Sequence, residues 1–119
     1  MTTDQNPDCL FCKIVNGDIP AQRLYEDDWV LAFDDINLQA PVHFLVIPKI
    51  HIATLNDLQP EHEAVVGRMY QAAKQVAAER GIAESGYRTV ANCGDDGLQS
   101  VYHIHLHVLG GRAMQWPPG

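Results

Sequence analysis

The segment HIHLHVLGG, residues 103–111, places three histidines at alternating positions, His103, His105 and His107. They are half of the six histidines in the chain. Alternation is the period of a β-strand, in which successive side chains point to opposite faces. We therefore expect the three imidazoles to share one face, with neighbours about 7 Å apart. The aliphatic residues between them predict a core on the other face, so the histidine face is a groove or a surface.

A row of imidazoles can carry out several kinds of chemistry near neutral pH. Each ring can donate or accept a hydrogen bond, bind a metal ion or attack an electrophile. A neutral middle ring, His105, is suited to attack phosphorus, and a protonated neighbour can stabilise phosphate oxygens. A metal site is the nearer alternative, because spacing alone does not reject it. A polar outer face of an edge strand is the other alternative, which three histidines opposite a wholly aliphatic face disfavour.

A second segment carries groups that suit a phosphate. The loop NCGDDGLQS, residues 92–100, offers amide and hydroxyl donors from Asn92, Gln99 and Ser100. Its two glycines allow the backbone to approach a ligand closely. Without the adjacent histidines, this loop would be interpreted as an ordinary hairpin connection.

The elements that must position these residues follow from hydrophobic periodicity and from turn residues. The predicted elements are a short helix ending near Gly17, two strands joined by a turn at 26–28, a buried strand at 42–48, a long helix from Pro60 to about Arg80, and strands at 87–94 and 102–109. One dominant helix without regular β-α alternation predicts an α+β fold with a mainly antiparallel sheet. Residues 1–8 are expected to be a flexible lead-in and residues 110–119 a C-terminal tail.

Length and charge restrict the class of partner. The 119 residues predict a single domain, 1–119, and the formal net charge of −7 argues against a nucleic-acid backbone or an anionic membrane as the main partner. A nucleotide is not excluded, because it needs only a local set of donors.

No apolar run reaches the length of a membrane span and the N-terminus has no signal-peptide core, so we expect a cytoplasmic protein. In that compartment Cys9, Cys12 and Cys93 are not expected to form a disulfide framework.

Several segments together resemble the histidine triad (HIT) superfamily. HIHLHVL has its pattern of alternating histidines and apolar residues, and KIVNGDIPAQRLYEDDWVLAFDDINLQAPVHFLVIPKIHI, GYRTVAN and GLQSVYHIHLHVLGGR are similar to its histidine triad nucleotide-binding (HINT) branch. The resemblance covers nearly the whole chain, and the terminal WPPG favours this branch over the dinucleoside polyphosphate hydrolases. It implies a HIT-like α+β fold, with a mainly antiparallel five-stranded sheet, one long helix and a short N-terminal helix.

The resemblance also implies an activity, that of a purine nucleoside phosphoramidase without a catalytic cofactor. Such enzymes act on purine nucleoside phosphoramidates, at the P–N bond, or on aminoacyl adenylates, through a nucleotidyl-histidine intermediate, and release the nucleoside monophosphate. The matching positions make His105 the nucleophile, accompanied by His107, His103 and His43. The resemblance further implies a homodimer. A dinucleoside polyphosphate hydrolase and a nucleotide-binding interaction module with weak activity are the alternatives.

The resemblance also implies which residues contact the nucleotide. Asp35 matches an acidic residue that bonds ribose hydroxyls, and Asn92, Gln99 and Ser100 match positions around the phosphate and the leaving group. The resemblance implies an apolar slot for the purine formed by Leu10, Phe11, Ile14, Ile19, Phe33 and Ile36. Leu98 stands where many relatives carry glycine, which leaves the preferred leaving group open. The choice between adenine and guanine is also open.

A structural zinc is implied by another part of the resemblance. Some members of the superfamily hold zinc with a C-x-x-C pair, a histidine of the IPKxH segment and the first histidine of the triad. All four positions are occupied here, by Cys9, Cys12, His51 and His103. Two sulfur and two nitrogen ligands suit a tetrahedral zinc ion. The alternative is a pair of half-buried thiols without a metal.

Overall fold

The computed structural model describes residues 5–119 and contains one five-stranded sheet flanked by helices. In chain order the elements are α1 Leu10–Val15, β1 Arg23–Glu26, β2 Val30–Asp34, β3 Val42–Pro48, α2 Glu63–Glu79, β4 Tyr87–Val90 and β5 Leu106–Gly110. The strands lie in the order β1-β2-β3-β5-β4, and every neighbouring pair is antiparallel. The predicted α+β fold is confirmed.

Both faces of the sheet are covered, as the alternation in β2 shows. Val30 and Ala32 belong to the core that α2 closes, while Leu31 and Phe33 belong to a second core beneath α1. The apolar stripe of α2 is buried against the first face, through Val65, Met69, Ala72, Ala73, Val76 and Ala77. In β3, Leu45 packs on the α1 side. His43, two residues earlier in the same strand, points to that side as well.

Three predicted boundaries differ from the structure. The long helix begins as a 3₁₀ turn, Pro60–His62, before α2 proper starts at Glu63. The strand predicted at 87–94 ends at Val90, and the strand predicted at 102–109 begins only at Leu106.

The late start of β5 has a physical cause in its neighbour β3. That strand ends at Pro48, which has no backbone N–H to extend the ladder. The segment before β5 is hydrogen-bonded to the loop after β3 instead. The N–H of Ile104 donates to the carbonyl of Ile52 at 2.7 Å. His103 and His105 therefore lie on an irregular segment, to which the strict alternation of a strand does not apply.

The predicted lead-in, residues 1–8, falls partly outside the described residues. In the described part, the side-chain amide of Gln5 donates to the carbonyl of Lys49 at 3.2 Å. Between residues 5 and 119, no helix combines the length and apolar character that a membrane crossing requires.

Candidate active site

Three histidine rings meet on the α1 side of the sheet. His107 lies in β5 opposite Leu45 of β3, and His43 is the next residue on the same face of β3. The ring centroids of His105 and His107 are 5.0 Å apart, and those of His43 and His107 are 5.2 Å apart. The irregular segment before β5 thus brings the rings closer than the spacing of about 7 Å expected in a regular strand.

The hydrogen bonds of His105 determine which of its nitrogens is free. Its Nδ1 lies 2.8 Å from the carbonyl oxygen of His103, and a carbonyl can only accept, so Nδ1–H is the donor. In the neutral ring Nε2 then carries the lone pair. Burial lowers the pKa of His105, which favours the neutral ring near pH 7. Nε2 of His105 can therefore attack an electrophile.

In His107 the proton lies on the other nitrogen, Nε2, and the hydrogen bonds of His43 are the reason. The backbone N–H of Gln39 donates to Nδ1 of His43 at 3.1 Å, so a neutral His43 carries its proton on Nε2. That Nε2–H faces Nδ1 of His107 at 2.9 Å and Oδ2 of Asp35 at 3.3 Å. With Nδ1 accepting, His107 carries its proton on Nε2. Burial, followed by the nearby His105 and His43, lowers the pKa of His107 to about 4.

Asp35, His43 and His107 also form a group that is compact enough to hold a metal ion. Their hydrogen bonds indicate another use, because the atoms that would bind the ion already face each other as donors and acceptors. The group is better described as a relay that orients His107.

A cavity of about 450 Å³ opens beside His105 and His107. It is lined by all the residues that were predicted for the purine and the ribose, Leu10, Phe11, Ile14, Ile19, Phe33, Asp35 and Ile36. The ring of Phe11 meets those of Phe33 and His105 edge-on, with centroids 5.6 Å and 5.1 Å away. A mostly apolar cavity with a few polar groups at one end is typical of a small-molecule site.

The three residues of the loop 92–100 that were predicted to lie around the phosphate and the leaving group are found in different places. Asn92 and Gln99 do not line the cavity. The side-chain amide of Gln99 donates to the carbonyl of Ala53 at 2.7 Å, and its oxygen accepts from the N–H of Gly94 at 3.0 Å. Gln99 is buried, and in this conformation it braces the loop, with its polar groups already bonded inside the protein.

The residues on either side of Gln99 differ in their relation to the cavity, which Ser100 lines and Leu98 does not. Of these two, Ser100 is the residue that was predicted to lie around the phosphate. Leu98 has φ of +63° and is 81% exposed. Because an L-residue rarely adopts positive φ and glycine does so freely, the backbone itself explains a preference for glycine at this position.

The cavity has further lining residues that the sequence did not predict, Pro20, Ala21, Gln22, Asp34, Leu45 and Val101. Leu45 could have been found, because it alternates with His43 in a strand that the sequence shows clearly. Gln22 lies between α1 and β1, where no periodic signal exists. Asp34 pairs with Arg80 at 2.8 Å, so its carboxylate is partly engaged elsewhere.

His103 is turned away from the cavity and joins the cysteine pair. It was predicted both as a catalytic histidine and as a metal ligand, and the structure places its fully buried ring with the metal set. Cys9, Cys12, His51 and His103 each offer one ligand atom, and these atoms all lie within 4.8 Å of one another. We refer to these four residues as the metal cluster.

The spacing and orientation of the metal cluster fit a tetrahedral ion. His103 Nε2–H donates to the carbonyl of Pro48 at 2.8 Å, so the Nδ1 lone pair faces the sulfurs, 3.4 Å from Cys9 and 3.6 Å from Cys12. Nδ1 of His51 lies 3.5 Å from the sulfur of Cys12. Around zinc with ligands at about 2.0–2.3 Å, sulfur and nitrogen are separated by about 3.5 Å.

The surroundings of the two sulfurs also suit metal-bound thiolates. Backbone N–H groups point at both of them, from Cys12 to Cys9 Sγ and from Asn6 to Cys12 Sγ, each at 3.4 Å. Burial raises the pKa of the Cys12 thiol to about 11. A thiolate at this position therefore needs a nearby cation, which a bound metal supplies.

Comparisons with known proteins agree with this fold. Residues 8–116 match the family model described as "Scavenger mRNA decapping enzyme C-term binding". The purine nucleoside phosphoramidase of Escherichia coli K12 is 50% identical over 105 residues, 88% of each chain. The 14 kDa zinc-binding protein of Zea mays is 49% identical over 118 residues, 98% of this chain and 91% of that one. A crystal structure of a HIT family hydrolase from Legionella pneumophila matches with a TM-score of 0.92 and 53% identity, covering 94% of this chain and 100% of that chain.

The antiparallel sheet, the histidine row and these matches define one class of protein. The chain belongs to the histidine triad superfamily and, within it, to the HINT-like branch. It is a hydrolase of the histidine triad type.

Proposed function

We propose that the chain is a purine nucleoside phosphoramidase with His105 as its nucleophile. The observation that carries the proposal is the complementary hydrogen bonding of two rings at one end of the cavity, which assigns their protons to different nitrogens. Nε2 of His105 is free to attack, because its Nδ1–H is held by a backbone carbonyl. Nε2 of His107 carries a proton, because its Nδ1 accepts from His43.

The reaction would proceed in two displacements at the α-phosphorus. Nε2 of His105 attacks, a P–N bond to the ring forms, and the substrate's P–N bond breaks as the amine leaves with a proton. His107 lines the same cavity, and its Nε2–H can donate to a phosphate oxygen or to the departing nitrogen. Water then attacks the nucleotidyl-imidazole, releases the nucleoside monophosphate and restores His105. An aminoacyl adenylate would be attacked at the same phosphorus, with a P–O bond broken instead.

The remaining cavity residues would hold the nucleotide. A flat purine fits between apolar side chains of α1 and β2, among which Phe11 and Phe33 contact each other edge-on. Asp35 lines the cavity near the histidines, and its carboxylate suits a ribose hydroxyl. Ser100 would donate to the phosphate. The E. coli relative, named a purine nucleoside phosphoramidase, supports the same substrate class.

The test is a turnover assay with adenosine 5′-phosphoramidate and, separately, a diadenosine polyphosphate. We expect the wild type to hydrolyse the phosphoramidate and to act much less on the polyphosphate. His105→Gly should lose nearly all turnover, on the order of 10⁴-fold or more, and still bind AMP. The matched control is His62→Gly, outside the site. Near wild-type turnover by His105→Gly would refute the nucleophile, and a preference for the polyphosphate would refute the substrate class.

We further propose that the metal cluster holds one structural zinc ion. The spacing of its ligand atoms supports this, as does the maize relative, which is named a zinc-binding protein. Bound zinc would supply a cross-link between α1, the loop after β3 and the segment before β5. Elemental analysis of protein purified without chelator should give about one zinc per chain. A zinc content near zero, or full stability of a Cys9→Ser/Cys12→Ser variant, would leave the cysteines as ordinary buried thiols.

A further inference from the structure

His103 belongs to two sites at once. Its ring lies in the metal cluster, 3.4 Å from the sulfur of Cys9, while its backbone carbonyl accepts the Nδ1–H of His105 at 2.8 Å. Because His103 precedes β5, no strand ladder fixes its peptide group. Its position depends on the ring's own contacts and on the bond between Ile104 and Ile52 that follows it.

The helix α1 links the metal cluster to the cavity in a second way. Cys9 caps this helix and Cys12 lies in its first turn, so the two sulfurs anchor it. Between them, Phe11 lines the cavity and meets the rings of His103 and His105 edge-on, with centroids 5.9 Å and 5.1 Å away. A helix of six residues is too short to be stable on its own, so its position depends on such anchors.

A second cavity gives access to the metal cluster from solvent. It measures about 380 Å³, touches Cys9 and His51, and shares Leu10, Ser100 and Val101 with the nucleotide cavity. A metal ion could therefore enter or leave without unfolding of the sheet.

We propose that the metal cluster positions both the nucleophile and the purine slot, so that zinc bound there increases nucleotide affinity and holds the ring of His105 in its reactive orientation. The inference rests on the proposed role of His105. Zinc would fix His103 and α1 together, and a nucleophile is effective only when its ring is aimed at the phosphorus. Cys9, Cys12 and His51 are then positioning residues that act through His103 and Phe11.

The direct test compares zinc-loaded protein with protein stripped by a chelator and then reloaded. Isothermal titration with AMP should show binding about tenfold weaker after stripping, with recovery on reloading. In ¹H–¹⁵N spectra of the histidine side chains, the Nδ1–H tautomer of His105 should be distinct in the loaded protein and averaged in the stripped one. The signals of His43 and His107 should persist in both, because β3 and β5 hold those rings.

Variants separate positioning from folding. His51→Gln removes one ligand that does not line the nucleotide cavity, and it should reproduce the stripped protein in AMP affinity, in the His105 signal and in a lower kcat for the phosphoramidate. Its matched control is His62→Gln, which should match the wild type. Cys12→Ser, with Cys93→Ser as its control, should act in the same direction. If Cys12→Ser does not fold, the half-buried His51 still provides the decisive comparison.

The inference is overturned if stripped protein binds AMP as tightly as loaded protein and keeps the His105 signal. It is also overturned if the protein takes up no zinc, or if the His105 and His107 signals are lost together, since that would show a role in global stability only. A different result would refute the proposed reaction alone. Zinc-dependent AMP binding and a zinc-dependent His105 signal without phosphoramidate turnover would refute the reaction and support the positioning role.

Discussion

At the residue scale, His105 and His107 are chemically identical side chains that hold their protons on different nitrogens. The difference arises from one backbone carbonyl and one neighbouring ring. Two histidines two residues apart can therefore present a lone pair and a donor to the same phosphate, provided that each ring has its own partner.

The relay through His43 makes a prediction about turnover. His43→Ala removes the donor to Nδ1 of His107, so His107 is free to adopt the other tautomer and lose its Nε2–H. We expect kcat for the phosphoramidate to fall on the order of 10²-fold, the lower end of what a positioned proton donor contributes. AMP affinity should change little. His62→Ala is the control, and an unchanged kcat in His43→Ala would contradict the relay.

Burial of His107 also predicts how stability depends on pH. Its pKa is about 4 in the folded chain and near 6.5 when unfolded, so the unfolded state binds more protons between these values. The free energy of unfolding should therefore decrease as the pH falls from about 6.5 towards about 4. Urea titrations near pH 7 and pH 5, in wild type and His107→Gln, would measure this. An equal decrease in both proteins would show that His107 does not contribute.

At the element scale, the turn at residues 94–98, which precedes Ser100, depends on close backbone packing. A Cβ on Gly97 would lie 2.5 Å from the carbonyl oxygen and 2.8 Å from the nitrogen of Cys93, closer than a side chain can approach backbone. Gly97→Ala should therefore shift the turn and destabilise the protein by about 1–3 kcal/mol, with reduced turnover. Denaturant titration together with the phosphoramidate assay would measure both effects.

The matched control for that change is an alanine in the exposed part of α2. A Cβ on Gly67 meets nothing within 4 Å, and its φ is not positive. Gly67→Ala should stabilise the protein by about 0.5–1 kcal/mol, because alanine loses less conformational freedom in a helix. Equal effects of the two substitutions would contradict the assigned packing of the turn.

At the scale of the whole molecule, the two edges of the sheet differ. The β1 edge has an irregular register between Arg23 and Tyr25 and ends at Glu26, features that discourage pairing with another strand. At the other edge, β4 keeps a regular register with β5 from Tyr87 to Val90, so its outer side continues a regular strand without a bulge. We therefore propose that the homodimer expected from the family resemblance forms by pairing of two β4 edges across a two-fold axis.

Sedimentation equilibrium at micromolar concentration tests this assembly. We expect a single species with twice the 13.2 kDa mass of one chain. A second chain also helps a protein of this size to bury apolar surface. A clean 13.2 kDa species at that concentration would contradict the dimer.

The sequence alone determined the parts of the protein that depend on local periodicity or on a long matching pattern. The buried stripe of α2, the strand at 42–48 and the short helix before Gly17 all follow from spacing and turn residues within a few positions. The cavity residues of α1 and β2 came from the family resemblance, because as apolar residues they look like ordinary core. The grouping of Cys9, Cys12, His51 and His103 came from the same source.

Tertiary structure decided what each polar group bonds to. The sequence shows three equivalent histidines, but His103 faces two sulfurs more than 90 residues away along the chain. Gln99 was predicted to lie near the phosphate, and in this structure its side-chain amide is bonded to Ala53 and Gly94. The strand predicted to begin at residue 102 begins at Leu106, since its partner ends in a proline. Periodicity depends only on the order of residues along the chain. Protonation, ligand sets and strand ends depend on residues that only folding brings together.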